Sequence, residues 1–192
     1  KIDAIEKSLA VAYQALSANG ICPEVSDFYC FDWSNPKGRV IVLPDCIAVS
    51  HEYWEKIRNF VHDGGKLIVT GRSFYYDDNM FCTHMYKPFP LSDCFGAQLS
   101  EYKADEDYFS LPCGLTGHLW RGVLSLNGAT PIIQKGDEIL GVRNYFGAGE
   151  VVWVPTPIEL GAYHREMKPL EEFYAAECAD AINQTPIRFE KQ

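Results

Sequence analysis

The chain lacks most of the signatures that make a function easy to read. No C-x-x-C pair occurs among its seven cysteines, so neither a zinc ribbon nor a thioredoxin-type redox motif is supported. Seven is also odd, so the cysteines cannot all pair within one chain, and reduced structural thiols are expected. No apolar run approaches the roughly 20 residues that cross a bilayer. Basic residues are scarce: 17 Lys and Arg stand against 26 Asp and Glu, a net charge of −9. Nucleic acid and anionic membrane both need a basic surface, and neither is expected as a partner. There is no H-x-x-x-H pair and no G-x-S-x-G elbow. Internal repeats, low-complexity tracts and a basic-then-apolar leader are absent as well. The first methionine is Met80, and the chain opens Lys1-Ile2-Asp3. The expectation is an excised or processed piece of a larger polypeptide, soluble, with its compartment left unassigned.

What is present is a core. The 192 residues are 47% hydrophobic and 14% aromatic, which rules out wholesale disorder and suits one domain. Residues 3–19 read as a helix, with Ile2, Ile5, Leu9, Ala12, Tyr13 and Leu16 at three- and four-residue steps and Asn19-Gly20 as the stop. Residues 24–29 read as a short strand, followed by a polar turn over 32–38. Residues 39–43 and 66–70 are near-continuous apolar runs, as in strands buried on both faces. Between them Ser50 is a candidate N-cap for a helix with Tyr53, Trp54, Ile57, Phe60 and Val61 on one face, closed by Gly64-Gly65. Residues 91–95 suggest a helical turn before Gly96. Period-two segments at 130–134, 139–145 and 150–154 predict strands joined by Lys135-Gly136-Asp137 and Gly147-Ala148-Gly149 turns. A last helical stripe runs from Leu170 to Ile182.

Four segments in order, YQALSANGICPEV, VIVLPDCIAVSHEYWEKIRNFVHDGGKLIVTGRS, LSDCFGAQLSEY and NYFGAGEVVWVPTP, resemble the glutamine-amidotransferase-like domain of multidomain glycosidases. That domain is best known as the β-galactosidase trimerisation domain of glycoside hydrolase family 42. The resemblance implies an α/β fold: a flavodoxin-like, class I glutamine amidotransferase-like three-layer sandwich, its sheet mostly parallel with a late antiparallel hairpin region. It implies a domain over 1–184, with 185–192 opening a following β-domain or linker. It further implies a non-catalytic role in oligomer assembly, with other domains of a parent glycosidase as partners and a neighbouring active site shaped by it. Family members carry a central strand before the first helix. None precedes Lys1 here, which would leave exposed sheet edges.

The amidotransferase chemistry needs a Cys nucleophile on the strand-to-helix elbow and a nearby base. The elbow here reads Thr70-Gly71-Arg72-Ser73, and the late-strand position reads Pro155-Thr156-Pro157, without Cys or His. No catalytic residue is therefore assigned, and Ser73 lacks the flanking glycines of a hydrolase elbow. Asp77 and Asp78, adjacent in an extended segment, should point apart rather than pair as glycosidase carboxylates. Glu101, Asp105, Glu106 and Asp107 read as a solvated acidic face. Cys82, His84, Cys94 and His118 match no trusted zinc spacing, so no metal and no cofactor is expected.

The candidate functional segment is the aromatic loop 72–90, carrying Arg72, Phe74, Tyr75, Tyr76, Asp77, Asp78, His84 and Tyr86. It follows the C-terminal end of a strand, where α/β sheets place ligands. Its aromatics suit a protein interface, a carbohydrate face, or a simple cover over the sheet edge. The alternative function is a free-standing small-molecule-binding or hydrolytic domain using this loop. His51 and His62 read as surface residues.

Overall fold

The computed structural model describes residues 4–179. The strand expected at the start of 185–192 lies outside them. In order, the elements are α1 (Ala4–Ala18), β1 (Val40–Pro44), α2 (His51–His62), β2 (Lys66–Thr70), α3 (Ser92–Phe95), β3 (Ala97–Ser110), β4 (Thr116–Leu126), β5 (Thr130–Lys135), β6 (Glu138–Phe146), β7 (Gly149–Val154), α4 (Ile158–His164) and α5 (Lys168–Glu177).

The sheet corrects the expected architecture. It is mixed and curls into a half-barrel, not the mostly parallel flavodoxin-like three-layer sandwich. Among the strands of the described residues, only β1–β2 and β2–β7 pair in parallel. The pairings β3–β4, β4–β6, β5–β6 and β6–β7 are antiparallel. The curl has a local cause. β3 is bulged between Leu99 and Glu101 and again between Ala104 and Tyr108, and bulges bend and twist a strand. β4 meets β6 through Leu124 and Ile139, then runs past the end of β7, where Gly122 N–H donates to the Pro155 carbonyl at 2.8 Å.

The apolar runs do what their composition demands. Leu67, Val69, Val151 and Trp153 join Phe60, Phe74 and Phe95 in one core; Ile68, Val152 and Val154 join Val11, Ala15, Leu140 and Tyr174 in another. Each fully buried large side chain contributes roughly 1.5–3 kcal/mol. Gly65 has no room for a side chain, because a β-carbon there would enter the Phe60 ring.

Two local expectations also change. In α1 the buried row is Ser8, Val11, Ala12, Ala15 and Leu16, while Ile5, Leu9 and Tyr13 are exposed. Residues 24–29 form no strand. Beside them β1 has no strand on its outer edge among the described residues, and a groove of about 470 Å³ runs there between Leu9, Tyr13, Leu16, Ile21, Val40 and Val42.

Candidate functional site

The loop leaves β2 through a turn that only glycine makes cheaply. Gly71 adopts φ +66, and the carboxylate of Asp45 packs against it. Asp45 accepts the Arg72 N–H at 2.8 Å, and its other oxygen lies 3.5 Å from the Arg72 guanidinium. The Ser73 hydroxyl is buried. It accepts the Cys46 N–H at 2.8 Å and lies against the Leu43 and Thr70 carbonyls at 2.9 and 2.7 Å. Ser73 is thus a strap between the ends of β1 and β2, accepting from one main-chain N–H and turned toward two main-chain carbonyls.

Beyond the turn the loop pairs with the segment after β1. Phe74 N–H donates to Cys46 O, Tyr76 N–H to Ile47 O, and Val49 N–H to Tyr76 O. This alignment brings Asp77 to the first turn of α2. Asp77 is fully buried and heavily used: Oδ1 accepts the Asn79 and Phe81 N–H groups at 2.8 and 2.9 Å, and Oδ2 accepts the Tyr86 hydroxyl at 2.9 Å. His51, the first residue of α2, stands between the two carboxylates. Its Nε2 is 3.6 Å from Asp77 and its Nδ1 contacts Asp78, while its ring lies 4.1 Å from that of Trp54.

The electrostatics follow from these contacts. Burial works to raise the Asp77 carboxyl, but the Phe81, Tyr86 and Asn79 donors and the facing His51 outweigh it, so Asp77 ionises below the usual aspartate range. The hydrogen bond from His51 holds Asp78 low as well. Tyr86 is pushed up, because its hydroxyl serves Asp77.

His51, Asp77 and Asp78 are the one group among the described residues whose donor atoms, all within 4.8 Å, could hold a metal ion. The arrangement favours direct contact between the side chains instead. The two ring nitrogens face separate carboxylates, whereas an ion would take one nitrogen and both carboxylates together. The contacts of the three residues make them a clamp between α2 and the loop.

The eight expected loop residues therefore divide. Asp77, Asp78 and Tyr86 gather around His51. Tyr75 stacks on His84 at 5.3 Å and meets Tyr76 and Tyr102 edge-on. Phe74 is buried in the core, and Arg72 turns back to Asp45. Asp77 and Asp78 do not simply diverge, since both reach one imidazole. Exposed at the rim are Met80, Phe81 and Met85, with relative exposures of 64%, 66% and 72%. Sequence reasoning missed His51, which stands 26 positions from Asp77 and carries no local mark. It also missed Glu159, a carboxyl buried at the end of the strands inside the apolar run Ile158-Glu159-Leu160. All seven cysteines are free thiols.

Comparison with known proteins identifies the family. The family described as the β-galactosidase trimerisation domain matches residues 6–178. The chain belongs to that family. A β-galactosidase of Geobacillus sp. (strain Y412MC61), BgaB, is 31% identical over 131 residues, covering 62% of this chain and 19% of that protein. Another from Bifidobacterium bifidum, BbgII, is 26% identical over 159 residues, covering 74% and 23%. The trimerisation domain therefore spans about a fifth of the length of these curated relatives. Among solved structures, the polyextremophilic β-galactosidase of the Antarctic haloarchaeon Halorubrum lacusprofundi superposes with a TM-score of 0.70 at 18% identity, over 88% of this chain and 26% of that one. At that identity the likeness speaks for the fold of the trimerisation domain. Among its described residues, no helix is long and apolar enough to cross a membrane.

Proposed function

We propose that this trimerisation domain serves assembly rather than catalysis within a longer β-galactosidase-type glycosidase, and that the loop rim around Met80, Phe81 and Met85 is its contact with a neighbouring subunit. The observation that carries the reading is an exposed apolar rim. Three large side chains stand in water; the buried Asp77 carboxylate holds the Asn79 and Phe81 N–H groups beneath the first two, and Met85 N–H donates to Cys82 O. Preorganised apolar residues lose little entropy on association, which is the usual economy of an interface anchor. Other domains of the parent glycosidase complete its set of partners, and the carboxylates that cleave the glycosidic bond lie in them.

Sedimentation velocity on the parent polypeptide tests this, with Met80, Phe81 and Met85 replaced by serine. The expected result is dissociation of the oligomer with an unchanged melting profile of the monomeric unit. An intact oligomer would overturn the interface. An intact oligomer with weakened kcat/KM for aryl galactosides would instead assign the rim to carbohydrate contact.

A further inference from the structure

A second polar cluster lies at the C-terminal ends of β1, β2 and β7, beneath α4 and α5. Glu159, the second residue of α4, is fully buried. Its Oε1 accepts the Thr70 hydroxyl at 2.7 Å and the Tyr174 hydroxyl at 2.6 Å. Its Oε2 has no partner. Thr70 closes β2 and Tyr174 sits in the middle of α5, so this one carboxyl oxygen joins a strand end to a helix across 104 residues of chain.

The surroundings disfavour an anion here. The charge that faces Glu159 from the end of β1 is another carboxylate, Asp45, itself buried and turned to Arg72. The Cys46 thiol beyond β1 is pushed up to about 12, by burial first and then by Asp45 and Glu159. From α5 the facing group is the Tyr174 hydroxyl, raised well above its ordinary range by burial and by Glu159. The cationic groups of the packed elements are engaged elsewhere: Arg72 after β2 with Asp45 at 3.5 Å, Lys66 at the start of β2 with Glu177 of α5 at 2.9 Å, and Lys7 of α1 over the Tyr163 ring at 5.2 Å.

We propose that Glu159 is a proton-operated latch: with its carboxyl neutral it fastens α5 to the end of β2, and loss of the proton loosens that fastening. The proton leaves to solvent, and no other group changes state. An ionised Glu159 would keep its two donors at Oε1 but bury an unpartnered anionic oxygen at Oε2 opposite Asp45, which is costly where water cannot enter. The neutral acid leaves only an uncharged hydroxyl there.

The direction with pH follows. Burial, with Asp45 adding, raises the Glu159 carboxyl from its ordinary 4.5 to about 7, against the opposing pull of the Tyr174 and Thr70 donors and of its own main-chain N–H. Between those values the unfolded chain has released the proton and the folded chain holds it. Stability from this group is complete below the lower value, falls as pH rises through the window, and is gone above the upper one.

Amide exchange across α5 in the full chain tests the latch, with rates corrected for the intrinsic effect of pH. Local opening should increase about tenfold or more between about pH 5.5 and about pH 8.5 in the wild type, and less than about twofold in Glu159→Gln. Parallel profiles in the two proteins would overturn the proposal. If Glu159→Gln does not fold, Tyr174→Phe carries the test. It removes a donor that favours the anion, so the midpoint of loosening should move to higher pH. An unmoved midpoint would refute the latch. Infrared spectroscopy adds a direct readout: a protonated-carboxyl band near neutral pH, absent from Glu159→Gln. A wild-type spectrum without that band would also refute it.

Discussion

Asp45 and Gly71 are in direct contact across the ends of two parallel strands: a β-carbon on Gly71 would lie 2.6 Å from Asp45 Oδ1. The contact sets the direction in which the candidate loop departs. Asp45 is buried and already holds the Arg72 N–H, so it has nowhere to retreat.

Gly71→Ala should therefore be strongly destabilising. Left-handed backbone at φ +66 costs a non-glycine residue roughly 1–2 kcal/mol, before any displacement of Asp45 is counted. Urea denaturation should show a loss of about 2 kcal/mol or more, with the slope unchanged. A loss below about 0.5 kcal/mol would mean that the strand ends separate easily.

The loop clamp should be acid-sensitive. Asp77 ionises below the usual aspartate range when folded, so its contribution is present above that range and lost as pH falls through the folded value. Asp77→Asn should have a flatter melting-temperature profile than wild type between about pH 5 and about pH 3. Superimposable acid limbs would contradict the contacts described here. This limb is opposite in sign to that of Glu159, and the two substitutions separate them.

On the far side of the sheet, Glu177 of α5 accepts from Lys66 at 2.9 Å and from Arg143 at 2.6 Å, and Glu150 contacts the same two cations at 3.3 and 2.9 Å. The four groups are partly buried, between the exposed pairs that contribute little and the buried pairs that are costly to break. Glu177→Gln should cost about 1–2 kcal/mol, less in molar salt, and a double-mutant cycle with Arg143→Met should show coupling near 1 kcal/mol. Additive single-mutant effects would show the network to be incidental.

How far the fold could be read in advance differed by element. β1 and β2 announced themselves as apolar runs, β5, β6 and β7 as period-two segments, and α2 as an amphipathic stripe closed by Gly64-Gly65. The hairpin β3–β4 did not. Its Glu101, Asp105, Glu106 and Asp107 read as a solvated face, and Glu101, Glu106 and Asp107 are exposed, yet Arg121 reaches Asp105 at 2.9 Å and Lys103 reaches Glu138 at 2.6 Å. Charges that pair across strands leave no periodic mark. In α1, Ala12 and Leu16 of the expected apolar row are buried, but tertiary packing joined them with Ser8, Val11 and Ala15 and left Ile5, Leu9 and Tyr13 exposed.

The candidate loop was visible because six aromatics crowd into sixteen positions. What those aromatics do was not. Phe74 goes to the core, Tyr75 to His84, and Tyr86 to a carboxylate, because the segment after β1 lies alongside the loop and dictates its alignment.

The amino-acid sequence alone determined the local elements with strong periodicity, the elbow without a nucleophile, the loop, and the family resemblance carried by four ordered segments. Tertiary structure decided the sense of the strands, the curl of the sheet, and the partners of His51 and Glu159. The physical reason is that an apolar run suits a parallel or an antiparallel neighbour equally well. Its hydrogen-bond ladder is closed by residues far away in the chain, and so are the contacts that settle whether a buried carboxyl keeps its proton.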